Sequence, residues 1–152
     1  MIKHMIQYIG AYTRRHSGRT LGDHLVGTFE LLEGKGVPSY VALAGGLHSI
    51  YGTVSFHDII FPDNDELRAA IRDIVGHDTE RLIWLFCRAY RPAGIETGKL
   101  TDWQSKEPLP VTAREIDDLR LIEAANLIEQ GSDLGRWPTI KRAWDSYNGE
   151  KV

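Results

Sequence analysis

Apolar residues return every third or fourth position through most of this chain, the period of a helix with one buried face. Ile2, Met5, Ile6, Ile9 and Tyr12 predict a first amphipathic helix over residues 2–12, with Arg14 and Arg15 near its end, where cations suit the helix dipole. His16-Ser17-Gly18 breaks it. Thr20 or Ser17 caps a second helix with Leu21, Leu25, Thr28, Phe29 and Leu32 on its face, closed by Gly34-Lys35-Gly36. Pro38 opens a third, over residues 39–51, rich in small residues (Ala42, Ala44, Gly45, Gly46) and stopped by Gly52. Glycine weakens a helix interior by ~1 kcal/mol, so these predict close approach of a neighbouring helix or a ligand.

Pro62-Asp63-Asn64-Asp65 is a turn and cap for a fourth helix that directs Leu67, Ala70, Ile71 and Ile74 inward and ends at Gly76. Thr79 or Asp78 starts a fifth, apolar on most of its surface through Leu82, Ile83, Leu85, Phe86 and Cys87 and therefore central. Residues 91–111 hold three prolines and two glycines and read as a long loop of the kind that forms lids or binding segments. Thr112 and Glu115 form a capping box for a sixth helix reaching Gln130. Pro138 introduces a last short helix with Ile140, Ala143, Trp144 and Tyr147. The expectation is an all-α bundle of six to seven helices, one domain over residues 1–152. Sheet is confined to a short ribbon near Val54 or within residues 91–111.

The net charge of -3, from 18 Lys and Arg against 21 Asp and Glu, gives no basis for holding nucleic acid by counterion release. Cys87 is the single cysteine, which excludes an intrachain disulfide and a thiolate metal cluster, and its setting in LIWLFC reads as a buried inert thiol. The start MIKHMIQYIG is too short and polar for a signal peptide, and no run approaches the ~20 apolar residues of a membrane span. The expected setting is the cytoplasm, with a small-molecule substrate, no nucleic-acid or membrane partner, and room for a homodimer.

The candidate chemistry lies in histidines. His24 sits beside the apolar stripe of its helix, next to Asp23 and one turn before Thr28, as a core hydrogen-bonding group, a metal ligand or an acid–base residue. His48 follows the glycine-rich helix and precedes Ser49, Tyr51 and Thr53, hydroxyls that suit a polar ligand and equally suit helix-end capping. Glu80 is explained by the helix dipole alone or as a pocket carboxylate. Arg19, Arg88 and Arg91 are clamps for an anion or a solvated face; Trp103 and Tyr90 stack on a ligand or anchor the core. His4 and His77 read as surface residues, and so does the pair His57-Asp58.

HSGRTLGDHLVGTFELL, LAGGLHSIYGT, GHDTERLIWLFCRAYR and DLRLIEAANLIEQG together resemble a family of small helical proteins within the HD-domain superfamily, over His16 to about Gly131. Superfamily members are helical metalloproteins with an early histidine, an adjacent His-Asp pair and a late aspartate. Transferred by that resemblance, the early histidine is His24, the pair is His48 with Ser49 in the aspartate position, and the late aspartate is Asn126. Both carboxylates that bridge two cations in phosphoester hydrolysis are thus replaced by neutral groups. The resemblance leaves one ion, zinc or iron, as the implied cofactor. Its ligands are drawn from His24, His48, His57 and Asp58, with His16 and Glu80 in reach if the loops fold inward.

Three functions follow. One is a metal-assisted hydrolase or oxygenase on a small polar metabolite. Another is a metal-free isomerase, lyase or cyclase using His24 or His48 as base, Ser49 as nucleophile being its weaker form. The last is a binding protein that kept a degenerate pocket. In each, His16, Arg19, Tyr51, Glu80, Arg91, Trp103 and Asn126 are the expected substrate contacts.

Overall fold

The computed structural model describes residues 1–16, 18–57 and 59–149, the side chains of Arg15 and His16 excepted. Eight α-helices carry the described residues: α1 (Ile2–Tyr8), α2 (Leu21–Lys35), α3 (Ser39–Gly46), α4 (Asp65–Val75), α5 (His77–Arg88), α6 (Ala93–Thr97), α7 (Ala113–Glu129) and α8 (Pro138–Ser146). The centre is α2, packed on α3 and α7, with α5 against α3 and α4, and α8 against α7. Among the described residues, no helix is long and apolar enough to cross a membrane.

The caps set the long helices. The Thr20 hydroxyl accepts the Asp23 amide at 3.1 Å, and Gly36 closes α2 at φ 79°, a left-handed conformation that glycine takes without strain. Asn64 accepts the Leu67 amide at 2.9 Å to start α4. Thr112 and Glu115 close the expected box reciprocally at 3.1 and 2.9 Å.

Four expectations need correction. The first helix ends at Tyr8 rather than residue 12, because Gly10 turns left-handed at φ 77° into a single 3-10 turn, Ala11–Thr13. The third helix stops at Gly46 rather than residue 51. There the His48 Nδ1–H donates to the Gly45 carbonyl at 2.6 Å, the acceptor a continued helix would assign to the Ser49 amide. On α4, Leu67 and Ile71 are half-buried, but Ala70 and Ile74 are exposed. The two-stranded ribbon falls before α2, where β1 (Arg15–His16) pairs antiparallel with β2 (Arg19–Thr20), and not near Val54; within residues 91–111 the expected pairing is reduced to an isolated antiparallel bridge between Thr101 and Pro108.

The long loop is also more structured than its prolines and glycines suggest, which raises the helix count to eight. Pro92 and Gly98 bracket α6 instead of breaking it. Glu96 on α6 accepts the Thr139 and Ile140 amides of α8 at 2.8 and 2.9 Å. Burial would raise this carboxyl, but those amide donors outweigh it and hold Glu96 below the usual range. The loop is thereby pinned to the N-terminus of α8, where a carboxylate also suits the dipole.

The glycines of α3 serve helix contact. A Cβ on Gly45 would lie 2.1 Å from Leu32 Cδ1, and one on Gly46 would lie 2.9 Å from Ile2 Cδ1. Leu32 is fully buried on α2 and has no room to retreat. Gly45→Ala is therefore expected to destabilise the fold by about 1–3 kcal/mol despite alanine's better helix propensity, measured as a lower urea midpoint at unchanged slope.

Candidate functional site

Three residues from three parts of the chain meet in the core: His24 of α2, His48 just past α3, and Asn126 of α7. All are buried. His24 Nε2 lies 2.8 Å from Asn126 Oδ1 and 3.3 Å from His48 Nε2. The two rings stand edge to face, with centroids 5.1 Å apart and planes at 88°. His24 reaches this place because α2 presents it beside Leu21, Leu25 and Thr28, all buried.

The surrounding partners fix the ring nitrogens. Asn126 Nδ2 donates to Glu123 Oε2 at 2.9 Å, so its oxygen is the atom turned to His24 Nε2, which must carry hydrogen to bond it. His24 Nδ1 lies 2.7 Å from Glu129 Oε1, a carboxylate that Arg19 also holds. Both ring nitrogens of His24 thus face oxygen acceptors. His48 donates from Nδ1 to the Gly45 carbonyl, so in the neutral ring Nε2 is the acceptor nitrogen. The Cys87 thiol donates to the His48 carbonyl at 3.1 Å and keeps its proton, burial pushing it up to about 12. Phe86 backs the His48 ring edge to face at 4.9 Å.

A cavity of about 500 Å³ opens on this group, within the range of small-molecule sites. His48, Ser49, Thr53, Arg91, Asn126 and Gln130 supply most of its polar lining, and Phe56 and Pro92 part of its apolar wall. Arg91 is clamped from two sides: Nη1 donates to Glu123 Oε1 at 3.3 Å, and the guanidinium lies over the Phe86 ring at 4.2 Å. Among the described residues, its Nε has no partner, and neither does the buried Ser49 hydroxyl.

Of the residues expected to form the site, His24, His48, Ser49, Arg91 and Asn126 come together here. Arg19 stands one step behind, on Glu129. Tyr51 and Glu80 are placed elsewhere, in a buried cluster. Tyr51 Oη and Arg68 Nε donate to Glu80 Oε2, both at 2.9 Å, and Arg68 Nη2 donates to Oε1 at 3.0 Å. That cluster, rather than the helix dipole, accounts for Glu80. It ties the turn carrying His48 to α4 and α5. Trp103 faces a different hollow, stacked on His57 at 5.0 Å and donating to the Cys87 carbonyl. His57 bonds the Val54 carbonyl. Arg88 is spent on Asp102 and Asp63. The His16 side chain and Asp58 lie outside the described residues.

Glu123 and Glu129 were not singled out by sequence reasoning, although the signal exists. Glu123, Asn126 and Glu129 recur at three-residue steps on α7, which keeps them to one side of the helix.

The ligand set expected for a single ion (His24, His48, His57 and Asp58) is not gathered here, because His57 is turned to the Val54 carbonyl and the Trp103 ring. Among the described residues, no group of three or more His, Cys, Asp and Glu side chains is arranged to hold an ion. Glu123 is committed to Arg91 and Asn126, and Glu129 to Arg19 and His24. What converges is two imidazole nitrogens and one amide oxygen, a set for one borderline ion and not for a bridged pair.

The molecule is thus an all-helical protein with a buried histidine pair at the edge of a polar cavity. The family model for a domain of unknown function, DUF6817, matches residues 5–91, more than half of the chain, and the chain belongs to that family. That match takes in His24, His48 and Arg91, while Glu123, Asn126 and Glu129 lie beyond it. No curated protein and no solved structure matches the chain.

Proposed function

We propose that the chain is a small enzyme with a degenerate HD-like pocket that moves a proton on a small polar metabolite, as an isomerase or lyase does, without a resident metal. His48 is the catalytic base. One observation carries this reading: His48 lines a cavity of about 500 Å³ and is anchored at Nδ1 by the Gly45 carbonyl, so that Nε2, 3.3 Å from His24 Nε2, is its acceptor nitrogen. His24 is a positioning residue, held by Glu129 and Asn126 so that its Nε2 faces His48. The carboxylates of Glu129 and Glu123 offset positive charge as His48 takes the proton.

The test is solvent exchange. Small carbonyl and hydroxy metabolites are incubated with the protein and a chelator in deuterated water, and loss of carbon-bound protons is followed by NMR. Exchange by wild type that vanishes in His48→Gln supports the reading. Exchange that survives in His48→Gln overturns it.

A second reading has its own observation. The Nε2 atoms of His24 and His48 are 3.3 Å apart while both Nδ1 atoms are committed to acceptors, the outer arrangement common around metal-bound imidazoles. His24, His48 and Asn126 would then hold one zinc or ferrous ion, which when bound supplies Lewis-acid polarisation and an activated water. Asn126→Asp separates the two readings. It removes the donor to Glu123 and sets carboxylate against carboxylate, so the apo-protein should lose about 1–3 kcal/mol of stability. If the ion site is real, zinc restores that loss and wild type binds one equivalent tightly. On the metal-free reading, zinc leaves the melting temperature of both proteins unchanged.

A further inference from the structure

We propose that the substrate of this cavity carries a carboxylate, and that Arg91 and Ser49 bind it. The inference rests on the proposed function only for the word substrate, since the anion site stands on its own donors. The free edge of Arg91 comes first. Glu123 takes Nη1, so the guanidinium edge formed by Nε and Nη2 is the one left to pair, and Nε is buried without a partner. That edge is a planar pair of donors matched to the two oxygens of a carboxylate. Arg91 cannot swing away to find water, because the Phe86 ring lies 4.2 Å beneath it and only 7% of its side chain is exposed. The donor is therefore pre-organised, and a ligand meets little ordering cost.

Ser49 supplies the second observation. A serine near a helix end ordinarily satisfies its hydroxyl on the carbonyl four residues back. Here that carbonyl, of Gly45, is taken by His48, and the Ser49 hydroxyl remains buried with no partner on the same cavity wall. Two donors unpartnered among the described residues, on residues of the turn between α5 and α6 and the turn after α3, thus belong to the lining of one polar cavity. His48 stands next to Ser49 in sequence, so a carboxylate seated on both donors holds its neighbouring carbon near the base.

Charge selects the carboxylate over a phosphate. Among the described residues only one guanidinium lines the cavity, and it is already shared with the fully buried Glu123. Glu129 adds a second carboxylate behind His24. A dianion would face both, whereas a single negative charge spread over two oxygens is matched by one fork.

The experiment is an NMR titration of the full isotope-labelled chain with acetate, and with acetamide and inorganic phosphate as neutral and dianionic probes. Saturable acetate binding is expected, with a downfield shift of the Arg91 Nε–H signal and neither effect from acetamide. Phosphate should bind at least ~10-fold more weakly. Arg91→Lys keeps the charge and loses the fork, and should weaken acetate ~10-fold or more. Ser49→Ala should weaken it a few-fold, about the worth of one hydrogen bond. Acetamide binding as tightly as acetate, phosphate binding more tightly, or unchanged affinity in Arg91→Lys each overturns the proposal. Should Arg91→Lys not fold, the Arg91 Nε–H shift in wild type together with Ser49→Ala decides the matter. The two proposals fail separately. Acetate bound without proton exchange on any metabolite overturns the reaction and leaves the site. Exchange on neutral metabolites with no acetate bound overturns the site and leaves the reaction.

Discussion

Glu80→Ala is expected to cost about 3 kcal/mol of folding stability, the low end for breaking a buried ion pair because Arg68 keeps some contact with water. Glu80 is 1% exposed and is the common acceptor for Arg68, Arg72 and Tyr51. Its removal leaves the Tyr51 hydroxyl buried without its acceptor and strips the Arg68 guanidinium beside Trp84 of the carboxylate it is hydrogen-bonded to. Urea denaturation should show the loss as a lower midpoint at unchanged slope, and a change within about 0.5 kcal/mol would refute the role given to the cluster.

The same cluster predicts an acid dependence. Burial alone would raise the Glu80 carboxyl, but the hydrogen bonds from Arg68 and Tyr51 and the charge of Arg72 outweigh it and hold it below its ordinary value. A carboxyl lowered on folding contributes stability that is complete above its unfolded value and disappears as pH falls through its folded value. The stability difference between wild type and Glu80→Gln should therefore be largest near neutrality and shrink on acidification below the ordinary carboxylate range. Asp102 and Glu115 are lowered too: arginine and backbone donors outweigh burial at each, so they steepen the acid loss in wild type. Asp118 works in the other direction, its carboxyl raised by burial despite the Tyr40 hydroxyl, and it offsets part of that slope.

How much of this was readable in the chain depends on whether the deciding interaction is local. Caps and stops at Thr20, Gly36, Asn64 and Thr112 act within four residues, and the helices they bound fall where periodicity places them. The end of α3 turns on one side chain taking one carbonyl, His48 on Gly45, which no propensity encodes. Residues 93–97 form a helix because Glu96 is used 43 residues away at Thr139. For the site, His24, His48 and Asn126 were legible through the resemblance to HD proteins. The charges that organise them were not. Glu129 at the end of a helix reads as a solvated residue, and only the fold brings it to His24. Likewise, the free edge of Arg91 exists because Glu123 occupies the other side of its guanidinium.

Glu129→Gln is expected to lower proton exchange by ~10-fold or more, short of the ~10²–10⁴-fold that loss of the acid–base group itself costs, with little change in fold. Glutamine fills the same space but has no negative charge and can turn its amide nitrogen toward His24. Either change weakens the hold on Nδ1 and lets the ring reorient away from His48. Arg19, which donates to Glu129 from the half-exposed side, loses its anion in the same variant. Gly27→Ala tests the same link without touching a charged residue. A Cβ there would lie 2.6 Å from Glu129 Oε2 and 2.8 Å from its Cγ, so the whole carboxylate arm must move. Gly27 lies on α2 itself, where alanine is favoured over glycine by roughly 1 kcal/mol, which offsets part of the cost of displacing the carboxylate from His24 while exchange falls. The His24 Nδ1–H resonance gives a readout that needs no substrate. In wild type it should be slow to exchange with solvent and shifted downfield by the carboxylate at 2.7 Å. In both variants it should move upfield and exchange faster. A signal that stays in place in Gly27→Ala while proton exchange is lost would detach His24 from the activity and leave His48 to act alone.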